Sequence, residues 1–168
     1  MIEIQFAKKD DLPQIVEIYN QAIVAGQCTA DTEVFSIDDR LDWFKSHNKQ
    51  RYPLLVAKEG DVVLGYLTIS AYRFGREALK ETAEVSYYIH FDHHRKGVAS
   101  VLMDKALTLC TSLNIKTLIA ILISCNHSSI SLLKKYGFEE WGNMPETVNL
   151  DGDYFDHLYY GLRLLSSN

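Results

Sequence analysis

The tightest constraint on the fold lies between residues 83 and 113. Ala83 to Phe91 reads as a strand, and His94-Arg95-Lys96-Gly97-Val98-Ala99-Ser100 as a short basic loop. Val98 to Leu113 then carries Val98, Val101, Leu102, Ala106, Leu109 and Leu113 at the three-and-four spacing of a core-facing helix. A strand that runs almost directly into such a helix pins the helix start to the end of a sheet. There the first backbone N–H groups have no intrahelical partner, and the macrodipole adds partial positive charge. Gly97 lets the main chain approach a ligand, Ala99 keeps the first turn slim, and Arg95 and Lys96 add mobile charge. Such a loop suits a phosphate group; the alternative is an ordinary solvated basic loop.

The rest of the chain supplies a sheet around this unit. Ile2, Ile4 and Phe6 alternate as a first strand. Asp10 or Asp11 can cap a helix bearing Leu12, Ile15, Val16, Tyr19, Ala22 and Ile23 on one face, with Pro13 in its first turn. Ser36 caps a second helix with Leu41 and Phe44 inward, ending near His47. Leu54 to Lys58 and Val62 to Tyr72 form a hairpin about Glu59-Gly60-Asp61. Thr117 to Ser124 is a strand, Ser128 to Tyr136 a helix stopped by Gly137, and Phe138 to Thr147 and Tyr154 to Leu164 are two last strands. This order predicts an α/β (α+β) fold in a single domain over 1–168. Its centre is a mixed, mostly antiparallel twisted sheet of about seven strands with helices on both faces.

Composition narrows the function. A net charge of −5 opposes a nucleic-acid partner, because such binding rests on clustered Lys and Arg. No run approaches the ~18 to 20 apolar residues of a membrane span, and the first residues alternate like a strand rather than a signal peptide, so a cytoplasmic protein without membrane contact is expected. Cys28, Cys110 and Cys125 are too dispersed for a disulfide framework or a zinc site; Cys110 and Cys125 read as buried small hydrophobes. The six histidines form no metal pattern, so no metal is expected.

Several motifs occur in a fixed order. Ile18-Tyr19-Asn20 and Thr29-Ala30-Asp31-Thr32-Glu33 precede Arg40, Trp43 and Phe44. Thr82-Ala83-Glu84-Val85-Ser86-Tyr87-Tyr88-Ile89 leads to the basic loop, and Asn126-His127-Ser128-Ser129-Ile130-Ser131-Leu132 ends in Gly137-Phe138. Gly152-Asp153-Tyr154-Phe155-Asp156 closes the series. Over nearly the whole chain this resembles the GCN5-related N-acetyltransferase (GNAT) superfamily, and within it the phosphinothricin-acetyltransferase-like branch. The superfamily's loop reads Gln/Arg-x-x-Gly-x-Gly/Ala; here His94 stands first and Tyr154 replaces the branch's Trp. The resemblance implies a homodimeric enzyme that moves an acetyl group from acetyl-CoA to a small, amino-acid-like amine, such as phosphinothricin or methionine sulfone. It implies that His94, Arg95, Lys96, Gly97, Val98, Ala99 and Ser100 hold the CoA pyrophosphate. The main chain at Tyr87, Tyr88 and Ile89 would pair with the pantetheine arm, and Asn126 and Ser129 would touch it. The acceptor pocket would draw on Thr29, Thr32, Tyr72, Arg73, Phe74, Arg76, Tyr154 and Asp156, with Phe74 where the branch commonly has Arg.

Acetyl transfer to an amine needs a proton acceptor, because amines are largely protonated at neutral pH. Glu84 is the candidate base, directly or through a water. The leaving thiolate needs a proton, and the family's donor, Tyr or His, is here Leu133, which cannot give one. Tyr136, three residues on, is the substitute candidate; solvent is the other source. With Leu133 in that place, a catalytically weak acyl-CoA-binding module is an alternative to an enzyme, and an acetyltransferase for protein amines is another.

Overall fold

The expected elements form in the expected order. The computed structural model describes residues 1–164. In chain order these are β1 (Glu3–Phe6), α1 (Leu12–Ala25), α2 (Leu41–Ser46), β2 (Leu54–Glu59), β3 (Val62–Ala71), β4 (Thr82–Ile89), α3 (Val98–Ser112), β5 (Thr117–Ile123), α4 (His127–Lys135), β6 (Glu139–Leu150) and β7 (Asp153–Arg163). The strands join in one seven-stranded sheet of order β1-β2-β3-β4-β5-β7-β6. Every ladder is antiparallel except β4–β5, whose parallel pairing requires the crossover through α3.

Helices cover both faces, which is why the central strands are near-continuous apolar runs. On one face Leu102, Met103 and Ala106 of α3 and Leu133 of α4 pack with Leu67, Val85 and Leu118. On the other, Ile15, Ile18, Tyr19 and Ile23 of α1 pack against Leu54, Val56, Val63 and Tyr66. The first turn of α3 comes so close to the sheet that a Cβ on Gly65 would lie 2.6 Å from Ile89 Cδ1 and 3.2 Å from Val98 Cγ1. A lone glycine inside an apolar strand marks such an approach.

Four local expectations are corrected. The inward stripe of α3 follows the i, i+4 row Val98, Leu102, Ala106 and Cys110, joined by Met103, so Val101 turns outward and is 36% exposed. β4 stops at Ile89, because a 3-10 turn over Phe91–His93 begins there, with Asp92 N–H donating to His90 Nδ1. Asp11 does not cap α1 through its side chain; its carboxylate accepts from Lys8 N–H and pairs with Lys58 Nζ at 2.7 Å. Cys110 is buried as expected, but Cys125 is only half-buried, since it follows the end of β5 in the connection to α4.

Other signals act as read. Ser36 Oγ accepts from Asp39 N–H while the Asp39 carboxylate accepts from Ser36 N–H, a reciprocal cap ahead of α2. Gly137, at φ +84°, closes α4 with Phe138 N–H bonded back to Leu133 O. No helix among the described residues is long and apolar enough to cross a membrane.

Leu102→Ala should lower the unfolding free energy by about 2–5 kcal/mol, whereas Val101→Ala should stay within about 0.5 kcal/mol, as read from denaturant midpoints at constant m. Equal effects would show that the two residues do not differ in burial.

Candidate active site

The site is made by an interruption in the sheet. β4 pairs with β5 only at Thr82↔Thr117, Ala83↔Leu118 and Glu84↔Ile119. Beyond that β4 stays with β3 as far as Ile89, and β5 stays with β7 as far as Ile123. The two strands therefore part after Glu84, and from Val85 to Ile89 the β5-facing edge of β4 has no ladder. Backbone amides on such an edge bind an extended chain of amides well.

A crevice of about 320 Å³ occupies the gap. Its walls include Tyr87, Tyr88 and Ile89, the loop residues His94, Arg95 and Gly97 to Ser100, and Asn126 and Ser129 at the start of α4. Arg95 at φ +62° and Gly97 at φ +79° curl the loop into the start of α3, whose residues Gly97 to Ser100 line the crevice. Nothing lies within 4 Å of where a Gly97 Cβ would stand, so it is the left-handed backbone that selects glycine there. His94 ties the loop to the strand: its Nε2 lies 2.9 Å from Ile89 O and its ring stands against Phe91. Asn126 caps α4, its Oδ1 accepting from Ser129 N–H at 3.3 Å. Of the loop residues expected here, Lys96 alone does not line the crevice.

A second, smaller space of about 30 Å³ continues between the parted strands. It shares Cys28, Tyr87, Tyr88 and Ser129 with the first, and adds Val85, Ser86, Ala120, Ile121, Leu122 and Leu133. A larger shallow groove of about 600 Å³ along α1 shares only Phe91 with the crevice and has a largely apolar wall.

Glu84 sits where the strands part. Burial pushes its carboxyl above the ordinary value of 4.5, a shift that the Ser86 hydroxyl, 3.5 Å away, partly offsets. That is what a base working near neutrality needs. Side chains alternate along a strand, so Glu84, Ser86 and Tyr88 face α1, while Val85, Tyr87 and Ile89 face α3 and α4.

The N-terminal motif residues build a wall beside Tyr88. Tyr19 stands edge-on to Tyr88 at 4.9 Å, and its hydroxyl bonds to Thr29 Oγ1 at 2.9 Å and to Asp31. Asn20 brackets Phe35 through both its N–H and its carbonyl. Arg40 lies 3.9 Å above the Trp43 ring and 4.8 Å from that of Tyr19. These contacts hold the loop over 26–35 against the sheet.

Several expected site residues are not gathered. Tyr136, the candidate proton donor, lies outside both spaces: its hydroxyl is 2.9 Å from Ser100 O and 2.8 Å from the Asp104 carboxylate, which ties α4 to α3. Asp156, expected at the acceptor, lines neither space. Its carboxylate accepts from Asn143 Nδ2 at 2.9 Å and Glu146 N–H at 3.0 Å, which hold an irregular stretch of β6 and keep the carboxyl below the usual range. Thr29 is buried with its hydroxyl committed to Tyr19. Thr32, Arg73, Phe74, Arg76 and Tyr154 are exposed, Phe74 at 92%, Tyr72 is half-buried, and none of them lines either space. Tyr87 was expected only for its backbone, yet it also lines both spaces, as Cys28, Tyr88 and Ser129 do. Periodicity places it on the α4 face but gives no sign of the gap there.

The profile of the acetyltransferase (GNAT) domain matches residues 4–159. The chain belongs to the GNAT acetyltransferase family. YwnH of Bacillus subtilis, provisionally named a phosphinothricin acetyltransferase, is 38% identical over 162 residues, covering 96% of this chain and 98% of its own. The L-methionine sulfoximine/L-methionine sulfone acetyltransferase of Salmonella typhimurium is 30% identical over 96% of this chain and 94% of its own. The GNAT-superfamily phosphinothricin acetyltransferase of Sinorhizobium meliloti, solved with acetyl-CoA, superposes at a TM-score of 0.90 with 29% identity, over 97% of this chain and 88% of that one. This GNAT protein is thus an N-acetyltransferase with acetyl-CoA as cosubstrate. The described residues fit that donor, with an unladdered strand edge for its amides and helix-start N–H groups for its phosphates. They contain no group of His, Cys, Asp and Glu placed to hold a metal ion.

Glu84→Gln should stabilise the fold at neutral pH. Wild-type Glu84 resists ionisation only in the folded state, so its stability contribution is intact below pH 4.5 and is lost as pH rises through the elevated folded value. The gain in unfolding temperature should vanish in acid; a gain independent of pH would contradict the burial of Glu84.

Proposed function

We propose that the acceptor is the primary amine of a small, amino-acid-like molecule, phosphinothricin, methionine sulfone or a close analogue, and that Glu84 takes its proton directly or through one water. The observation that carries this reading is the position of Glu84 at the last rung of the β4–β5 ladder, where the strands part: it is half-buried with its carboxyl pKa raised by burial, and it lines neither space. The names of the relatives from Bacillus and Salmonella support the acceptor class.

The steps follow from the chain's own groups. N–H groups at the start of α3, with Arg95, hold the pyrophosphate, and the free edge of β4 aligns the pantetheine amides so that the thioester reaches the parting point. A main-chain N–H on that edge polarises the thioester oxygen. The amine enters from the α1 side, the face on which Glu84 lies, and loses its proton to the carboxylate as it attacks. Arg73 and Arg76, exposed on the connection that follows β3, can pair with an acceptor carboxylate; Glu84 stands opposite Ser70 near the same end of β3. A homodimer completes the proposal, on the strength of the family resemblance.

Thiol release from acetyl-CoA should be highest with methionine sulfone, methionine sulfoximine or phosphinothricin, by at least about tenfold in kcat/KM over polyamines and peptides. A peptide that outpaces them, or background release with all of them, would overturn the acceptor assignment. Glu84→Gln should lower kcat by about 10²–10⁴ and remove the acid limb of the pH–rate profile while leaving CoA affinity unchanged. An unchanged profile would remove Glu84 from the chemistry.

A further inference from the structure

The Tyr87 hydroxyl is buried and has no hydrogen-bond partner among the described residues. Ser129 is the polar group nearest in effect, facing it without closing a bond of ordinary geometry. A buried hydroxyl left unpaired loses its hydration without return, so such a group is rare unless something else pairs with it. Tyr87 lines both the large crevice and the small space beyond the parting of β4 and β5. It shares the small space with Leu133, and both side chains belong to the core on the α3 and α4 face. Leu133 is the residue that stands where the family carries its proton donor, and Tyr136, the other candidate, is turned away to Ser100 and Asp104.

We propose that Tyr87 is the acid of the transfer, its Oη–H lying toward the sulfur of the CoA thioester and giving it a proton as the thiolate leaves. The proposal rests on reading the crevice as the seat of acetyl transfer and deepens it. As the neutral amine nitrogen bonds to the carbonyl carbon, the carbon–sulfur bond breaks and its electron pair passes to sulfur. Sulfur takes the Tyr87 proton, and the proton lost by nitrogen goes to Glu84 on the opposite face. The products are an amide and a free thiol; the proton on Glu84 then returns through solvent to the tyrosinate, which restores both groups.

Proton affinities in the crevice are compatible with this exchange. Burial pushes the Tyr87 phenol up to about 12, opposed only by Ser129. The same burial acts on sulfur. The Cys28 thiol, which lines both spaces, is raised first by burial and then by Cys125. Tyr88, the remaining phenol on the wall, turns to the other face against Tyr19 and Tyr66.

Tyr87→Phe tests this without threatening the fold, since it removes an unpaired polar atom and keeps the ring. Bound CoA is titrated by the ultraviolet absorbance of its thiolate, in wild type and in the variant. Because a hydrogen bond to the thiolate lowers the pKa of the thiol, the variant should raise the pKa of bound CoA by about one unit, with CoA affinity unchanged. With acetyl-CoA and the best amine, kcat should fall about a hundredfold at unchanged KM for acetyl-CoA. A bound thiol whose pKa does not move overturns the proposal whatever turnover does, and so does an unchanged kcat. The thiol titration needs no amine, so an error in the acceptor assignment leaves its outcome intact.

Discussion

The three-residue parallel ladder between β4 and β5 is the constraint on which the rest depends. If it were longer, the amides of β4 would be used up within the sheet; if it were absent, β4 and β5 would not be joined at the point where Glu84 stands. Each strand keeps its other neighbour, β3 on one side and β7 on the other, so the gap is held open by two intact antiparallel ladders. The crossover through α3 fixes the loop at one end of the gap, because Gly65 lets the first turn of α3 rest directly on the sheet. Burial of Leu102, Met103 and Ala106 anchors the remainder of that helix.

Opening a sheet in this way also divides the chemistry between two faces. Alternation along β4 sends Glu84 toward α1 and Tyr87 toward α4, three residues apart in sequence and on opposite sides of the strand. A proton can leave the amine on one side while another reaches the sulfur on the other, with the carbonyl between them in the gap. The cluster of Tyr19, Phe35, Arg40 and Trp43 stands beside Tyr88 on the α1 side, and on the other side Tyr136 ties α4 to α3.

Much of this was legible in the sequence because it is written in local patterns. Strand alternation, the Ser36 and Gly137 caps and the glycine in the basic loop each depend on neighbours within a few residues. What was not legible depends on distant partners. Asp156 looked like a substrate contact beside Tyr154, but its carboxylate is taken by a bulged stretch of β6 that no sequence window joins to it. Tyr136 lay close to the missing donor in sequence, yet one turn of helix carries its hydroxyl to α3. Val101 fitted a helical stripe, but the face is set by the i, i+4 row beside it. The length of the β4–β5 ladder, and with it the exposure of Tyr87 to the gap, is a property of the whole sheet.

The central claim is that the parted strands seat the acetyl donor with its sulfur between Glu84 and Tyr87. A crystal structure of the protein with CoA tests it most directly. The pyrophosphate should lie against the N–H groups of residues 97–100, the pantetheine amides should pair with the edge of β4, and the sulfur should come within hydrogen-bond reach of Tyr87 Oη. A pantetheine arm lying outside the gap, or a sulfur on the far side of Leu133 with Tyr87 still unpaired, would contradict it.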